Sequence, residues 1–400
     1  EGAQYDGRMH WSFWEQDALP EADFIVVGAG LVGLQTAIEL HGLAPRARIV
    51  VLERSVLPNG ASTRNAGFAC FGSPSEILHD FSLMGEDAAL QLIERRWRGL
   101  QRLRQRLGDG ALGYDSGGGY ELLTTAQLGV LHELDALNRK LHPIFGGPVF
   151  QRDDAALAAA RFGSQVSALV SIANEAQLHP GRMMAALAAL AQQLGITLYR
   201  GVQVLALEEA DGGVVLSARS SEGRALRLRA GRVALCTNGA LSELAPDCGI
   251  RPARGQVLLT EPLADLPWRG SYHMEQGFYY FREVAGRVLL GGGRQLDPAT
   301  ETSADPEINP HIQQALDTLL RDIILPGRPA KIELRWAGIM GFSEDKQPRV
   351  RRLTPRVALG FGCNGMGVAL SAETAAQTAR LLVEEEDGSA SGQVPKARRH

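Results

Sequence analysis

The segment at residues 28–33 constrains the fold of this chain more than any other feature. It follows a continuous apolar run at residues 24–27, which is typical of a strand buried on both faces, and it precedes a helical spacing of apolar residues at 34–40. A G-x-G-x-x-G turn between a strand and a helix predicts a βαβ unit that binds a dinucleotide, with the helix N–H groups facing its pyrophosphate. The expected contacts are Gly28, Ala29, Gly30, Leu31, Val32 and Gly33.

A second buried strand, predicted at residues 49–52, ends in Glu53. This carboxylate follows Gly33 by twenty residues, and at that spacing it accepts hydrogen bonds from ribose hydroxyls. It would also repel a 2′-phosphate, so we do not expect NADP at this site.

Residues 60–67, Gly-Ala-Ser-Thr-Arg-Asn-Ala-Gly, resemble a segment of the FAD-dependent oxidoreductases of the D-amino acid oxidase superfamily. That superfamily includes glycine, sarcosine and glutamylputrescine oxidases, and the resemblance extends to about residue 382. It implies that FAD is the dinucleotide and that Ser62, Arg64 and Asn65 line its pyrophosphate and flavin. Some relatives attach the flavin through a histidine in this segment, which this chain lacks, so we expect noncovalent FAD. The candidate contacts here are Arg54, Gly60, Ala61, Ser62, Thr63, Arg64, Asn65, Ala66 and Gly67.

A glycine turn at residues 362–367 opens a second predicted helix near the C-terminus. The resemblance implies that this helix directs its N–H groups at the flavin N1–C2=O edge. A second NAD site is the competing interpretation, but no suitably spaced acidic residue follows. The resemblance also places the backbone of Val204 at the adenine, although an ordinary strand valine explains this position equally well. The remaining candidates are Val204, Thr237, Asn238, Gly239, Gly338, Gly362, Asn364, Gly365, Met366 and Gly367.

Both chain ends must therefore meet at one cofactor, which predicts an α/β fold with a discontinuous domain. We expect a Rossmann-like FAD-binding domain of the GR2 type at residues 1–87, 160–250 and 333–387. A substrate domain with a mixed, mostly antiparallel sheet and helices is expected at 88–159 and 251–332. Residues 388–400 read as a flexible tail.

Candidate substrate contacts lie in a hairpin predicted at residues 277–292. Amino-acid-oxidising relatives carry an arginine here that forks onto the substrate carboxylate, and Arg282 matches it by spacing. Strand alternation places Tyr280 on the same face, although the alternative that Arg282 pairs with an acidic residue at the hairpin edge is equally plausible.

The resemblance also brings Met340 to the flavin, where sarcosine oxidases carry a covalently linked cysteine. Lys346 is a candidate oxygen-activating cation, with a surface charge as the alternative. His179 and His273 match no catalytic position of the family and read as structural, and no metal is expected.

These features predict an enzyme that oxidises the C–N bond of a small amine or amino acid by hydride transfer to flavin N5, with O2 or another acceptor reoxidising the flavin. Two alternatives stay open: an FAD-dependent 2-hydroxy acid dehydrogenase, and a non-catalytic FAD-binding assembly or regulatory protein. The formal charge of −4, from 41 basic and 45 acidic residues, argues against a nucleic-acid partner.

Membrane association is not expected, because no apolar run is long enough to span a bilayer. A basic face on the helix predicted at residues 88–107 leaves a membrane or quinone-partner surface as a minor alternative to a solvated face. The four cysteines lack CxxC spacing and indicate reduced thiols in a cytoplasmic protein, either a monomer or a homo-oligomer.

Overall fold

A computed structural model of the protein describes residues 12–14, 21–210, 212–361 and 364–384. Gly362 and the predicted tail at 388–400 lie outside these ranges. The described strands, in chain order, are β1 Ala22–Val27, β2 Ile49–Glu53, β3 Phe68–Ala69, β4 Gly119–Thr124, β5 Phe150–Arg152, β6 Val166–Ile172, β7 Ala176–Gln177, β8 Thr197–Arg200, β9 Val202–Ala210, β10 Gly213–Ser220, β11 Ala225–Leu235, β12 Arg251–Thr260, β13 Ser271–Met274, β14 Tyr279–Val284, β15 Arg287–Gly292, β16 Ile332–Phe342, β17 Arg349–Thr354 and β18 Val357–Phe361.

Helices cover the faces and ends of the sheets. The described α-helices are α1 Leu31–Leu43, α2 Ala61–Arg64, α3 Pro74–Met84, α4 Glu86–Leu107, α5 Asp109–Leu112, α6 Val130–Phe145, α7 Asp154–Ala160, α8 Pro180–Gln193, α9 Leu241–Leu244, α10 Pro310–Leu319 and α11 Gly367–Val383.

The first sheet has the order β17-β18-β11-β1-β2-β8, with β10 and β9 added beside β11. Strands β18, β11, β1, β2 and β8 run parallel, which requires helical crossovers. The central strands β1 and β2 are apolar and buried on both faces, as the sequence predicts. Helix α11 packs against α1 and α4, and the buried Gln35 amide donates to Ser371 Oγ at 2.7 Å across the α1–α11 contact. The two chain ends therefore meet in one layer, as expected for a discontinuous nucleotide-binding unit.

The second sheet has the order β16-β12-β15-β14-β13-β4-β6-β5 and is antiparallel except for the β13–β4 pair. The predicted hairpin is present as β14 and β15, joined by Ala285 and Gly286 with φ of 51° and 76°. Positive φ at both turn residues is the geometry of a two-residue hairpin loop. Phe281 stacks on Tyr272 at a ring distance of 4.7 Å.

Three elements contact a different part of the fold from the one that the sequence predicts. Strand β6 is predicted in the FAD-binding part, but it pairs with β4 and β5 in the second sheet. Strand β16 is predicted there as well, but it pairs with β12 along its whole length. Helix α4 is predicted in the substrate part but packs against α11. An apolar strand or helix pattern identifies an element without identifying the layer that buries it.

The arginines of α4 are paired with acidic residues of neighbouring elements. Arg102 contacts Glu39 of α1 at 2.8 Å and Glu373 of α11 at 3.2 Å, and Arg106 also contacts Glu39. These pairs account for much of the basic face and leave little support for a membrane or quinone surface there. Within the described ranges, no helix combines the length and the apolar character needed to cross a bilayer.

Candidate functional site

A cavity of about 470 Å³ lies between the two sheets. Its lining includes the start of α1, α2 and the start of α11. The part lined by α3, by the strands β12 to β16 of the second sheet and by the residues that flank them is named the chamber. Elements from both ends of the chain therefore meet along one continuous space.

The glycine turn between β1 and α1 is held tightly against the sheet. Gly28 has φ of 101°, a region that disfavours any side chain, and a Cβ on Gly33 would lie 1.8 Å from the carbonyl oxygen of Gly28. The Ala29 N–H donates to Glu53 Oε2 at 2.9 Å and the Leu31 N–H to Ser62 Oγ at 3.0 Å. Gly30, Leu31 and Val32 line the cavity, so the turn opens directly into it.

The segment 60–67 forms α2 and the bend that follows it. Asn65 uses its side chain locally: its amide donates to the carbonyls of Ala61 and Ser62, and its oxygen accepts from the Gly67 N–H at 2.8 Å. Arg64 donates to the Ala337 carbonyl of β16 at 2.6 Å. Both side chains fix the shape of the cavity wall. Ala61, Ser62, Arg64, Asn65, Ala66 and Gly67 all line it.

A second group of predicted contacts lies where α11 begins. Met366 precedes this helix without a capping side chain, and Asn364, Gly365, Met366 and Gly367 line the cavity. Asn364 Oδ1 accepts from the Ser343 N–H at 2.8 Å, whereas its Nδ2 is buried and has no partner among the described residues. Gly338 and Asn238 also line the cavity, and Gly239 packs under Met340 of β16.

Several predicted cofactor residues do not line the described cavity. Arg54 is exposed and pairs with Glu243 at 3.5 Å, and Thr63 Oγ1 donates to the Pro58 carbonyl. Val204 is buried in β9, opposite Ala218. The others absent from the lining are Gly28, Ala29, Gly33, Glu53, Gly60, Thr237 and Gly239.

Arg282 does not occupy the expected carboxylate-binding position. It is buried and absent from the cavity lining, and its Nη1 donates to the backbone carbonyls of Gly67 at 3.0 Å and Leu178 at 2.9 Å. Burial lowers the pKa of Arg282 to about 10. The side chain joins β14 to loops on the opposite wall, so the prediction of a clamp formed by Arg282 is corrected.

The Arg282→Ala variant should be less stable yet bind carboxylates normally. Removing a charged donor from two buried carbonyls costs about 1.5–3 kcal/mol for each bond. A lowered denaturation midpoint in urea, with unchanged affinity for a carboxylate ligand, is the expected result. Weakened carboxylate binding in a folded variant would restore the original assignment.

The other three predicted substrate-side residues line the chamber. Tyr280 contacts Phe68 edge-on at 5.6 Å, and burial raises its pKa to about 12, so the phenol remains a neutral donor. The Met340 side chain packs directly over Gly255 of β12, since a Cβ added to Gly255 would lie only 2.7 Å from Met340 Cε. Lys346 Nζ donates to the buried carboxylate of Asp80 at 2.7 Å.

One arginine of the chamber wall, Arg294, is missing from the sequence-based candidates. It follows β15 in a short 3-10 turn, lies 4.0 Å above the Phe342 ring, and is half-buried. Burial lowers its pKa from the usual range. No hydrogen-bond acceptor or carboxylate partner for its guanidinium occurs among the described residues.

The remaining arginine and lysine side chains of the wall already have partners. Arg64 binds a backbone carbonyl, and Lys346 is paired with Asp80. Arg96 contacts Glu76 at 3.1 Å, and Arg254 contacts Glu301 at 3.0 Å. Arg294 therefore differs from these residues in making no hydrogen bond and no ion pair within the described ranges. Glu301, which is paired with Arg254, acts on Arg294 only through an electrostatic attraction that opposes the lowering of its pKa.

His273 also lines the chamber, and the sequence-based interpretation as a structural residue missed this. Its Nε2 lies 2.9 Å from Glu175 Oε2, and both residues are buried. Burial alone would lower the pKa of His273, but the nearby Glu175 outweighs it and raises that pKa. The neighbouring Glu121 is buried too, which raises its pKa, and it accepts a hydrogen bond from Ser73.

The cavity suits a dinucleotide that extends into a planar ring. The N-cap of α1 is Gly30, which has no side chain, and no side chain caps α11. The Leu31 N–H of α1 is bonded to Ser62 Oγ, so the remaining N–H groups of its first turn and those of α11 are the ones that can face anionic or electron-rich atoms along one space. The buried Nδ2 of Asn364 is a donor that still lacks an acceptor. The donor set therefore fits the pyrophosphate and the ring edge of FAD.

Comparisons with known proteins agree with this geometry. The family model described as DAO, FAD dependent oxidoreductase, matches residues 23–381. A probable oxidoreductase OrdL of Rhizobium meliloti is 25% identical over 374 residues, covering 88% of this chain and 80% of that protein. The crystal structure of glycine oxidase from Geobacillus kaustophilus superposes with a TM-score of 0.72 at 22% identity, covering 92% of this chain and 96% of that one. Iminodiacetate oxidase from Chelativorans sp. BNC1 gives 0.69 at 19% identity, with coverages of 93% and 97%.

Proposed function

This chain belongs to the family of FAD-dependent oxidoreductases, and from that premise we propose that it oxidises the C–N bond of a small amine that carries a carboxylate, such as an amino acid. The observation that carries the proposal is Arg294, a chamber-lining guanidinium without an anionic partner in the described part of the chain. A guanidinium binds a carboxylate through two parallel charge-assisted hydrogen bonds. Glycine oxidase and iminodiacetate oxidase, whose folds this chain shares, are named for substrates of this class.

FAD, when bound, supplies the hydride acceptor for such an oxidation. Binding is assigned to the Gly28–Gly33 turn and to the start of α11. Neither a histidine at residues 60–67 nor a cysteine at position 340 is present for attachment, which supports noncovalent binding. The role of Lys346 beside the flavin remains a prediction, with its ammonium held by Asp80.

The residues of the chamber orient the substrate and exclude water. Arg294 holds the carboxylate, while the neutral phenol of Tyr280 offers a hydrogen bond. The rings of Phe68, Phe278 and Phe342 make an apolar wall that strengthens these polar contacts by lowering the local dielectric. No protein base is required if the amine binds in its neutral form.

Anaerobic mixing of the yellow holoprotein with matched substrates tests the proposal. The set comprises amino acids, the amines that lack their carboxylate, and the 2-hydroxy acids with the same side chains. We expect amino acids to bleach the flavin, the decarboxylated amines to do so far more slowly, and the hydroxy acids to have no effect. Preferential bleaching by hydroxy acids would favour the alcohol dehydrogenase alternative. A fully loaded protein that no compound bleaches would favour an assembly or regulatory role. Reoxidation in air then distinguishes O2 from another acceptor.

A further inference from the structure

Three buried side chains with different ligand chemistry converge beside the chamber. One ligand atom each of Cys70, Glu175 and His273 lies within 4.8 Å of the other two. Strands β3 and β7 pair with Ala69 opposite Ala176, and this register brings Cys70 against Glu175. His273 comes from β13 of the second sheet. Three segments that are distant along the chain thus form one cluster.

The carboxylate of Glu175 is built into this position. A Cβ on Gly119 would lie 2.0 Å from Glu175 Oε2, so only glycine leaves room for it on β4. Asn174, just before it, has φ of 66°, the left-handed conformation that asparagine adopts more readily than most residues with a side chain. Glu175 Oε2 accepts from Ser271 Oγ at 3.4 Å and lies beside His273. The space left by Gly119 and the turn at Asn174 therefore both position the Glu175 carboxylate.

The second carboxylate oxygen, Glu175 Oε1, has no hydrogen-bond partner among the described residues although it is buried. Glu175 as a whole is 2% exposed. A buried charged atom without a partner is costly, so Glu175 Oε1 needs a water, an ion or another ligand as its partner. The nearby Glu76 and Arg96 contact each other at 3.1 Å and together add no net charge.

Thiolate sulfur, imidazole nitrogen and carboxylate oxygen are the protein ligands that Zn²⁺ prefers. Bonds of about 2.0–2.3 Å in tetrahedral geometry bring donor atoms to about 3–4 Å from one another, a small contraction of the cluster described above. One thiolate and one carboxylate also balance the two charges of the ion. Cys70 and His273 line the cavity, so the fourth position would open into the chamber.

We propose that Cys70, Glu175 and His273 bind one Zn²⁺ ion in the chamber wall, with the fourth coordination position open to water or to a small anionic or amine ligand. Zn²⁺ displaces the thiol proton of Cys70 and the second imidazole proton of protonated His273. Both protons leave to solvent, and no oxidation or reduction occurs. Three protein ligands with one open position is the arrangement of zinc sites that bind exogenous molecules. The proposal concerns metal binding alone and does not depend on which substrate is oxidised.

The test uses tag-free holoprotein that has been treated with a chelator and then dialysed. Titration calorimetry with Zn²⁺ should give a stoichiometry of one. Co²⁺ should produce visible d–d bands to the red of the flavin absorption, together with a near-ultraviolet thiolate charge-transfer band in the difference spectrum. That last band reports the sulfur ligand in the unmodified chain, so it remains informative if a variant fails to fold.

Variants then assign the ligands. Cys70→Ser, Glu175→Gln and His273→Gln should each weaken Zn²⁺ binding by more than about 100-fold, because even outer partners of a metal site contribute about 10- to 100-fold. Cys248→Ser, which removes another buried cysteine, is the matched control and should bind normally. The proposal is overturned if the wild-type holoprotein takes up no stoichiometric metal, or if Cys70→Ser and Cys248→Ser bind alike. A simple His273–Glu175 ion pair would then explain the cluster.

Discussion

Replacing Arg294 with alanine should weaken the binding of carboxylate ligands by about 2–5 kcal/mol, or on the order of 30- to 5000-fold in Kd. The reason is that the Arg294 guanidinium makes no hydrogen bond or ion pair within the described residues and is therefore available to a carboxylate, which alanine could not bind. Its contact with the Phe342 ring orients the side chain toward the chamber. Perturbation of the flavin spectrum by a non-reacting carboxylate measures the affinity directly.

Two further variants separate this effect from a general loss of structure. Arg294→Lys keeps the positive charge but cannot make two parallel hydrogen bonds to a carboxylate. Its affinity should therefore fall between those of the wild type and the alanine variant. Arg282→Ala should reverse the pattern, with lower stability and normal carboxylate binding. Equal affinities in the wild type and in Arg294→Ala would remove this residue from the proposed function, as would equal rates with amino acids and their decarboxylated amines.

The cofactor-binding part of the fold could be predicted because its information is local. Gly28, Gly33 and Glu53 lie within one βαβ unit, and their spacing alone specifies strand, turn, helix and acidic strand end. The glycine-containing turn before α11 gives the same kind of local signal, a strand followed by a turn and a helix, near the C-terminus. From two such turns, the meeting of both chain ends follows without knowledge of the loops between them.

The chamber could not be predicted to the same depth, because its contacts are set by pairing between distant segments. Alternation correctly put Tyr280 and Arg282 on one face of β14, but it did not reveal which groups lie opposite. Carbonyls from two remote loops bind Arg282, and the carboxylate-binding role that we propose belongs to Arg294, which follows the next strand. Cys70, Glu175 and His273 are each about a hundred residues apart, and only the β3–β7 register brings the first two together.

The Gly33→Ala variant tests the packing that holds α1 against β1. The added Cβ would lie 1.8 Å from the Gly28 carbonyl oxygen, a backbone atom that cannot rotate away. The helix must therefore move off the strand, and this displaces the turn that faces the cofactor. We expect a loss of about 3 kcal/mol of unfolding free energy, the upper end of the roughly 1–3 kcal/mol that overpacking of a core typically costs, because the clash is with backbone. The protein should also purify with little FAD, measured as the ratio of flavin to protein absorbance.

The same substitution at another glycine of α1 provides the control. Gly42 lies in the last turn of this helix, and a Cβ added there would meet no neighbouring element within 4 Å. Gly42→Ala should therefore leave FAD content unchanged and raise stability by up to about 1 kcal/mol, because alanine loses less conformational entropy in a helix. Urea unfolding with and without added FAD compares the two variants directly. If Gly33→Ala retained full flavin content and the stability of Gly42→Ala, close helix–strand packing at the turn would not be what shapes the cofactor site.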